Sequence, residues 1–123
     1  MKSFILFIAA ILLFIIFAPF GVLYTLWITF LFKKNQLTLL EDFSFSMAQS
    51  IDMIGNVILA DLFNRLIINE NGYQYGRPGE TISSATGKNV KLGTLTKAGN
   101  KFNNTLTVVF GTNHAVNSIQ IFA

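Results

Sequence analysis

Cysteine is absent from the 123 residues, which removes a disulfide scaffold, a thiolate metal site and a cysteine nucleophile together. Histidine occurs once, at His114, so a histidine-rich metal site cannot be built, and no metal or other cofactor is expected. The six acidic residues, Glu41, Asp42, Asp52, Asp61, Glu70 and Glu80, are scattered singly or in a pair, which again argues against a cation cluster. Charged residues make up only 12% of the chain and hydrophobic ones 52%, against roughly 25% and 45 to 50% in an average soluble domain. That balance does not describe an ordinary soluble enzyme. The dinucleotide, P-loop, zincin and nucleophile-elbow motifs are all missing, and no catalytic residue is assigned.

What the chain does have is a long apolar run. From Phe4 to Phe32 there are 29 residues without a charge, more than the roughly 20 needed to span a bilayer. As one helix the run would be about 44 Å long, longer than the hydrocarbon core, so it must tilt or bend. Pro19 removes a backbone donor in mid-run and Gly21 weakens the helix nearby, so a kink near Pro19 is expected. The competing arrangement is a re-entrant hairpin turning at Pro19, Phe20 and Gly21. Phe4, Phe14, Pro19, Trp27 and Phe32 mark the anchor, and Tyr24 and Trp27 suit its second boundary. No small-x-small cleavage site follows the run, so the anchor is expected to be retained rather than removed as a signal peptide. Lys2 before the run and Lys33 and Lys34 after it lean toward placing residues 33–123 on the cytoplasmic side, or on the lumen side of an internal viral membrane.

Beyond the anchor, assigned to residues 1–36, the segment 37–70 reads as an amphipathic helix. Thr38 and Glu41 fit a capping box, and Phe43, Met47, Ile51, Ile54, Ile58, Leu62 and Leu66 recur at helical spacing over about Leu39 to Ile68. Asp61 and Arg65 are spaced for a surface ion pair. The apolar stripe needs a cover, from residues 71–123, a second copy or the membrane surface. Asn69 to Gly79, with Asn71-Gly72 and Pro78-Gly79, reads as a loop. A short helical turn over Glu80 to Ala85 closed by Gly87, a connector over Asn89 to Gly93, a helix capped by Thr94 and stopped by Gly111, and a last turn from Asn113 to Ile119 complete the reading. The expected class is an all-α membrane protein: one long kinked transmembrane helix, an amphipathic helix and a small helical C-terminal region.

One constellation carries more than patterning: Gly79, Glu80, Thr81, Ile82, Ser83, Ser84, then Gly87, Lys88, Asn89, then Gly93, Thr94, Leu95, Thr96, and finally Asn113-His114. Physically, Glu80 and the hydroxyls suit a helix N-terminus. The string resembles a group of small phage and prophage proteins over about Asn64 to Ile119, with Ala115 standing where that group is expected to carry cysteine. The resemblance implies a phage-encoded protein and transfers no activity. Glu80, Thr81, Ser83, Ser84 and His114 form the candidate interaction motif. A hydrolase using Ser83 or Ser84 with His114 as base and Glu80 as orienter is the least favoured reading. Lys88, Lys91, Lys97 and Lys101 form a loose basic cluster without interleaved aromatics, so nucleic acid is not expected as a partner.

The expected function is therefore a phage-encoded, single-pass integral membrane protein with a structural or assembly role, in a bacterial inner membrane or the internal membrane of a virion. Its expected partners are the lipid bilayer and either further copies of itself or a larger assembly. A holin-like lysis protein is the alternative from a different class.

Overall fold

The computed structural model describes residues 1–31 and 36–122. Among these residues six helices follow one another: α1 (Lys2–Leu31), α2 (Gln36–Ile58), α3 (Ala60–Leu66), α4 (Ile82–Leu92), α5 (Lys97–Phe110) and α6 (His114–Asn117). Among the described residues there is no strand, only an isolated antiparallel bridge between Ile68 and Leu95. The chain divides into two compact units, Met1–Ser46 and Met47–Ala123, and each is described by itself.

In the first unit, α1 is one unbroken 30-residue helix that contains Pro19. The chain does not reverse at Pro19, Phe20 and Gly21. This is the one described helix long and apolar enough to cross a membrane. Phe4, Phe14 and Trp27 are all exposed, while Phe32 lies outside the described residues. The hydroxyls of Thr25 and Thr29 donate back to the carbonyls of Gly21 and Thr25, at 2.9 and 2.8 Å, so neither needs water. The start of α2 at Gln36 places Thr38 inside the first turn, so it is not the N-cap that the Thr38/Glu41 pairing suggested. Nothing in Gln36 or Leu37 opposes a helix.

In the second unit, the helix expected to run to Ile68 is interrupted at Leu59. The interruption is slight: Leu59 N–H donates to Gly55 O and Phe63 N–H to Leu59 O, both at 2.9 Å, so the i to i−4 ladder carries across. Of the covers open to the apolar stripe, residues 71–123 do not supply one. Ile51, Ile54, Ile58, Leu62 and Leu66 are all more than half exposed. The opposite face, carrying Asp52, Asn56, Phe63, Asn64 and Ile67, is turned inward, because these polar side chains find hydrogen-bond partners in the 68–81 loop and α4. Asp61 and Arg65, spaced for a pair, form none among the described ion pairs. Both are exposed, and water competes well with so weak an interaction.

The loop over Asn69 to Gly79 is as the glycines and proline require. It leads to α4, which is longer than expected, since Gly87 and Asn89 lie inside it rather than ending it. A Cβ built on Gly87 would fall on the Ala115 carbonyl, so glycine here serves the close packing of α6 on α4. The true stop is Gly93, in the left-handed conformation at φ 66°. Thr96, not Thr94, caps α5: its hydroxyl accepts from Gly99 N–H at 3.1 Å, and Leu95 is held in the bridge to Ile68. Gly111 ends α5, as its sequence position suggests. The β-branched residues near its end stay helical, with Thr105 and Thr107 hydroxyls donating to carbonyls one turn back. The final helix is four residues long, shorter than expected, and Asn113 precedes it at φ 59° without capping it through its side chain.

The apolar core is small. Ile67, Ile68, Tyr75 and Ala85 are buried, with Phe63, Ile82, Leu95 and Phe102 packed against them. Phe63 meets Tyr75 and Phe102 edge-on, each with ring centroids 5.2 Å apart. The largest fully buried side chains are instead Glu80, Asn56, Asn89, Thr86 and Ser84.

Candidate functional site

Four of the five residues of the interaction motif meet at the N-terminal end of α4. Thr81 is extended and its hydroxyl accepts from Ser84 N–H at 3.0 Å, which makes it the N-cap. The first-turn amide of Ile82 donates at 2.9 Å to one oxygen of Asp52, whose other oxygen accepts from Ser83 Oγ at 3.0 Å. A carboxylate beside first-turn amides is favoured by the helix dipole. The residue supplying it is Asp52 on α2, not Glu80.

Glu80 is fully buried and turned the other way. Its Oε1 accepts from Ser84 Oγ at 2.8 Å and from Lys88 Nζ at 2.5 Å, and its Oε2 accepts from Tyr73 OH at 2.8 Å. Residues 80, 84 and 88 are spaced by four, so Ser84 and Lys88 lie on the same side of α4 as Glu80. Lys88 reaches the pair from the protein edge, its side chain 19% exposed, and its ammonium also lies 4.3 Å from the Tyr73 ring centroid. Burial alone would lower the Lys88 pKa. The hydrogen bonds to Glu80 and Tyr73 and the negative charge of Glu80 outweigh that and hold it above the usual 10.5. A charge buried in this way is tolerated only when paired and fully hydrogen-bonded, and both conditions are met.

Three amides extend the network. Asn56 donates to Glu80 O at 2.9 Å and accepts from Gly76 N–H at 3.1 Å. Asn64 pairs with both backbone groups of Tyr75, accepting from its N–H at 2.7 Å and donating to its O at 3.1 Å. Asn89 donates to Tyr73 O and Ala85 O and accepts from Tyr73 N–H and Thr94 Oγ1. The loop over 72–80 thus gains from side chains the partners that a strand would have given it. Tyr75 OH and Thr86 Oγ1 share a hydrogen bond of 2.8 Å, and burial raises the tyrosine pKa above 10.0 despite the lowering effect of that bond.

The segment after α6 closes this cluster. Gln120 N–H donates to Ser84 Oγ at 2.8 Å, and Gln120 Oε1 accepts from Thr81 N–H at 2.8 Å. Phe122 lies under Arg77, 3.9 Å from its guanidinium carbon, and 5.1 Å from Lys88 Nζ. Among the described residues, no buried side-chain nitrogen or oxygen lacks a partner.

His114 stands apart from the cluster. Its ring stacks on Phe110 at 4.7 Å, and the side-chain hydrogen bonds of Ser83 and Ser84 go to Asp52, Glu80 and Gln120. A serine, histidine and carboxylate relay is not assembled. Ala115, the position where the phage resemblance expects cysteine, is buried against α4 at Gly87. Among the described residues no group of three or more potential metal ligands gathers.

Sequence reasoning missed Asp52, Asn56, Tyr73, Tyr75, Asn64 and Gln120 as members of the cluster. A signal was present: Asp52, Asn56 and Asn64 fall on one helical face, and amides and an acid in register on a charge-poor helix mark a face with buried partners. Comparison with protein-family models, curated proteins and solved structures finds no match for this chain.

Proposed function

We propose that this is a phage-encoded, single-pass membrane protein whose C-terminal unit serves a structural or assembly role. The observation that carries the membrane reading is α1: 30 residues, uncharged from Phe4 onward, with exposed apolar side chains along its length. In water that surface would drive aggregation, whereas in hydrocarbon the backbone groups of the helix interior, other than those freed at Pro19, are satisfied within the helix. Pro19 offers no N–H to the carbonyl of Ile15, so α1 bends there in the bilayer. The phage origin rests on the likeness of the 79–96 string and Asn113-His114 to small phage and prophage proteins. The structural role is supported by the polar cluster, in which the serine hydroxyls and the Glu80 carboxylate are engaged in holding α4, the 68–81 loop and the 118–122 segment together.

Four measurements test this reading. After expression in bacteria, carbonate washing at high pH is expected to leave the chain in the membrane pellet, and release into the supernatant would overturn the anchor. With cysteine introduced at Ser3 or at Lys97, an impermeant thiol reagent added from one side is expected to reach one position only. A lysis protein of holin type would collapse the membrane potential abruptly on expression without partners, whereas an assembly component is expected to insert without that effect. Recovery of the chain by mass spectrometry from purified particles would identify a virion component.

A further inference from the structure

The geometry points to the exposed apolar face of α2 and α3 as the contact through which two copies of this chain pair. The inference rests on the assembly role proposed above and deepens it by naming the surface and its occupant. The face is formed by Met47, Ile51, Ile54, Ile58, Leu62 and Leu66, which the continuous i to i−4 ladder across Leu59 keeps in helical register. Their exposures run from 39% at Met47 to 74% at Ile58. Folding of the C-terminal unit does not cover them, because the opposite face already lies inward through Asp52, Asn56 and Asn64.

Three observations favour a second copy over a lipid surface. First, the six side chains at these exposures present on the order of 700 Å² together, somewhat more than the roughly 300–600 Å² of the largest patch on a typical monomer and close to the roughly 800 Å² that each partner contributes to a standard interface. Second, an interfacial helix rests on anionic headgroups through a basic polar face, whereas between residues 36 and 66 Arg65 is the one cation beside Glu41, Asp42, Asp52 and Asp61. Third, Asp61 and Arg65 lie one turn apart, Arg65 in line with Ile58 and Leu62 of the apolar face, both exposed and without an ion pair to each other. A two-fold axis makes a contact reciprocal, so Asp61 of each copy meeting Arg65 of the other forms two pairs at once.

The test uses the full chain in native-like membranes, where the absence of cysteine makes single-cysteine cross-linking clean. Ile54→Cys and Ile58→Cys are expected to form disulfide-linked dimers on mild oxidation, at least ten times faster than Lys97→Cys on α5. Ile58→Asp, at an exposed position, is expected to abolish dimers while leaving the circular dichroism unchanged. Asp61→Arg is expected to weaken dimers and the double variant Asp61→Arg/Arg65→Asp to restore them. Equal cross-linking at all three positions, or a chain that stays monomeric at every concentration, would overturn the proposal. So would burial of the face in lipid, seen as quenching of a dye at Ile58→Cys by bromolipids without any dimer. Carbonate extraction of the same samples separates these outcomes from failure of the anchor, since a released chain that still cross-links through Ile58→Cys leaves the pairing intact.

Discussion

Asn89→Ala is the substitution for which the structure makes the sharpest demand. The wild-type carboxamide is fully buried and makes four hydrogen bonds, two as donor and two as acceptor, which is its full capacity. Truncation removes the partner of Tyr73 N–H, bonded at 2.7 Å, and of Tyr73 O, bonded at 2.9 Å, in a loop with no ladder to take over. Thr94 Oγ1 keeps only a long contact of 3.4 Å to the Asn89 carbonyl. Each backbone group left without a partner costs about 1–3 kcal/mol, and the Tyr73 groups are only partly screened from water, so a loss of about 2–4 kcal/mol is expected. Asn89→Asp should fare no better, because a carboxylate oxygen would then face the Tyr73 and Ala85 carbonyls. The control is Lys91→Ala, exposed on the same helix, where a change within about 0.5 kcal/mol is expected. Urea unfolding of the full chain in micelles, followed by tyrosine near-ultraviolet circular dichroism, gives the free energies. Hydrogen exchange at the Tyr73 amide reports the loop directly. If Asn89→Ala matched Lys91→Ala in both measurements, the amide network would not be what orders the 72–80 loop.

Three further outcomes are expected. Gly87→Ala sets a methyl group on the Ala115 carbonyl, so α6 and the segment behind it must shift; a loss of about 1–3 kcal/mol and faster amide exchange at Gln120 are expected. Asp52→Ala removes the acceptor of Ile82 N–H and Ser83 Oγ, and a loss of about 1 kcal/mol, typical of a missing cap, should appear in the same urea titration. Tyr75 and Lys88 both hold their protons more tightly folded than unfolded. Their contribution is therefore complete below about pH 10 and is lost as pH rises through the folded values, so the urea midpoint should fall as the pH is raised above 10. A midpoint that rose over that range would contradict the assignment.

Helix periodicity and glycine placement made much of the fold legible. The uncharged run gave α1, Asn71-Gly72 and Pro78-Gly79 gave the loop, and Gly111 gave the end of α5. Where the reading failed, a tertiary partner had overridden a local preference. Gly87 reads as a stop, yet lies in mid-helix because α6 needs the room; Asn89 reads as a connector, yet stays helical because Tyr73 and Thr94 satisfy its amide. Of the three covers left open for the apolar stripe of α2 and α3, residues 71–123 are not the one. Amphipathic patterning tells two faces apart but does not say which meets the rest of the chain, and here Asp52, Asn56 and Asn64 decide it. At the candidate site, the grouping of Glu80 with Thr81, Ser83 and Ser84 was visible from spacing alone. The roles within it were not, since Asp52 takes the helix amide and Glu80 turns to Tyr73 and Lys88, and neither Asp52 nor Tyr73 belongs to the motif.

A core filled by amides, hydroxyls and an ion pair also fixes how the C-terminal unit responds to temperature. Uncovering apolar surface raises heat capacity by about 0.45 cal/K/mol per Å², whereas uncovering polar surface lowers it by about 0.26, so the two partly cancel when Glu80, Asn56, Asn89, Thr86 and Ser84 are released together. The stability curve of this unit is accordingly broad and shallow, with its enthalpy of unfolding changing little from cold to warm. Chilling, which weakens a core held by water exclusion, leaves one held by directional bonds comparatively untouched.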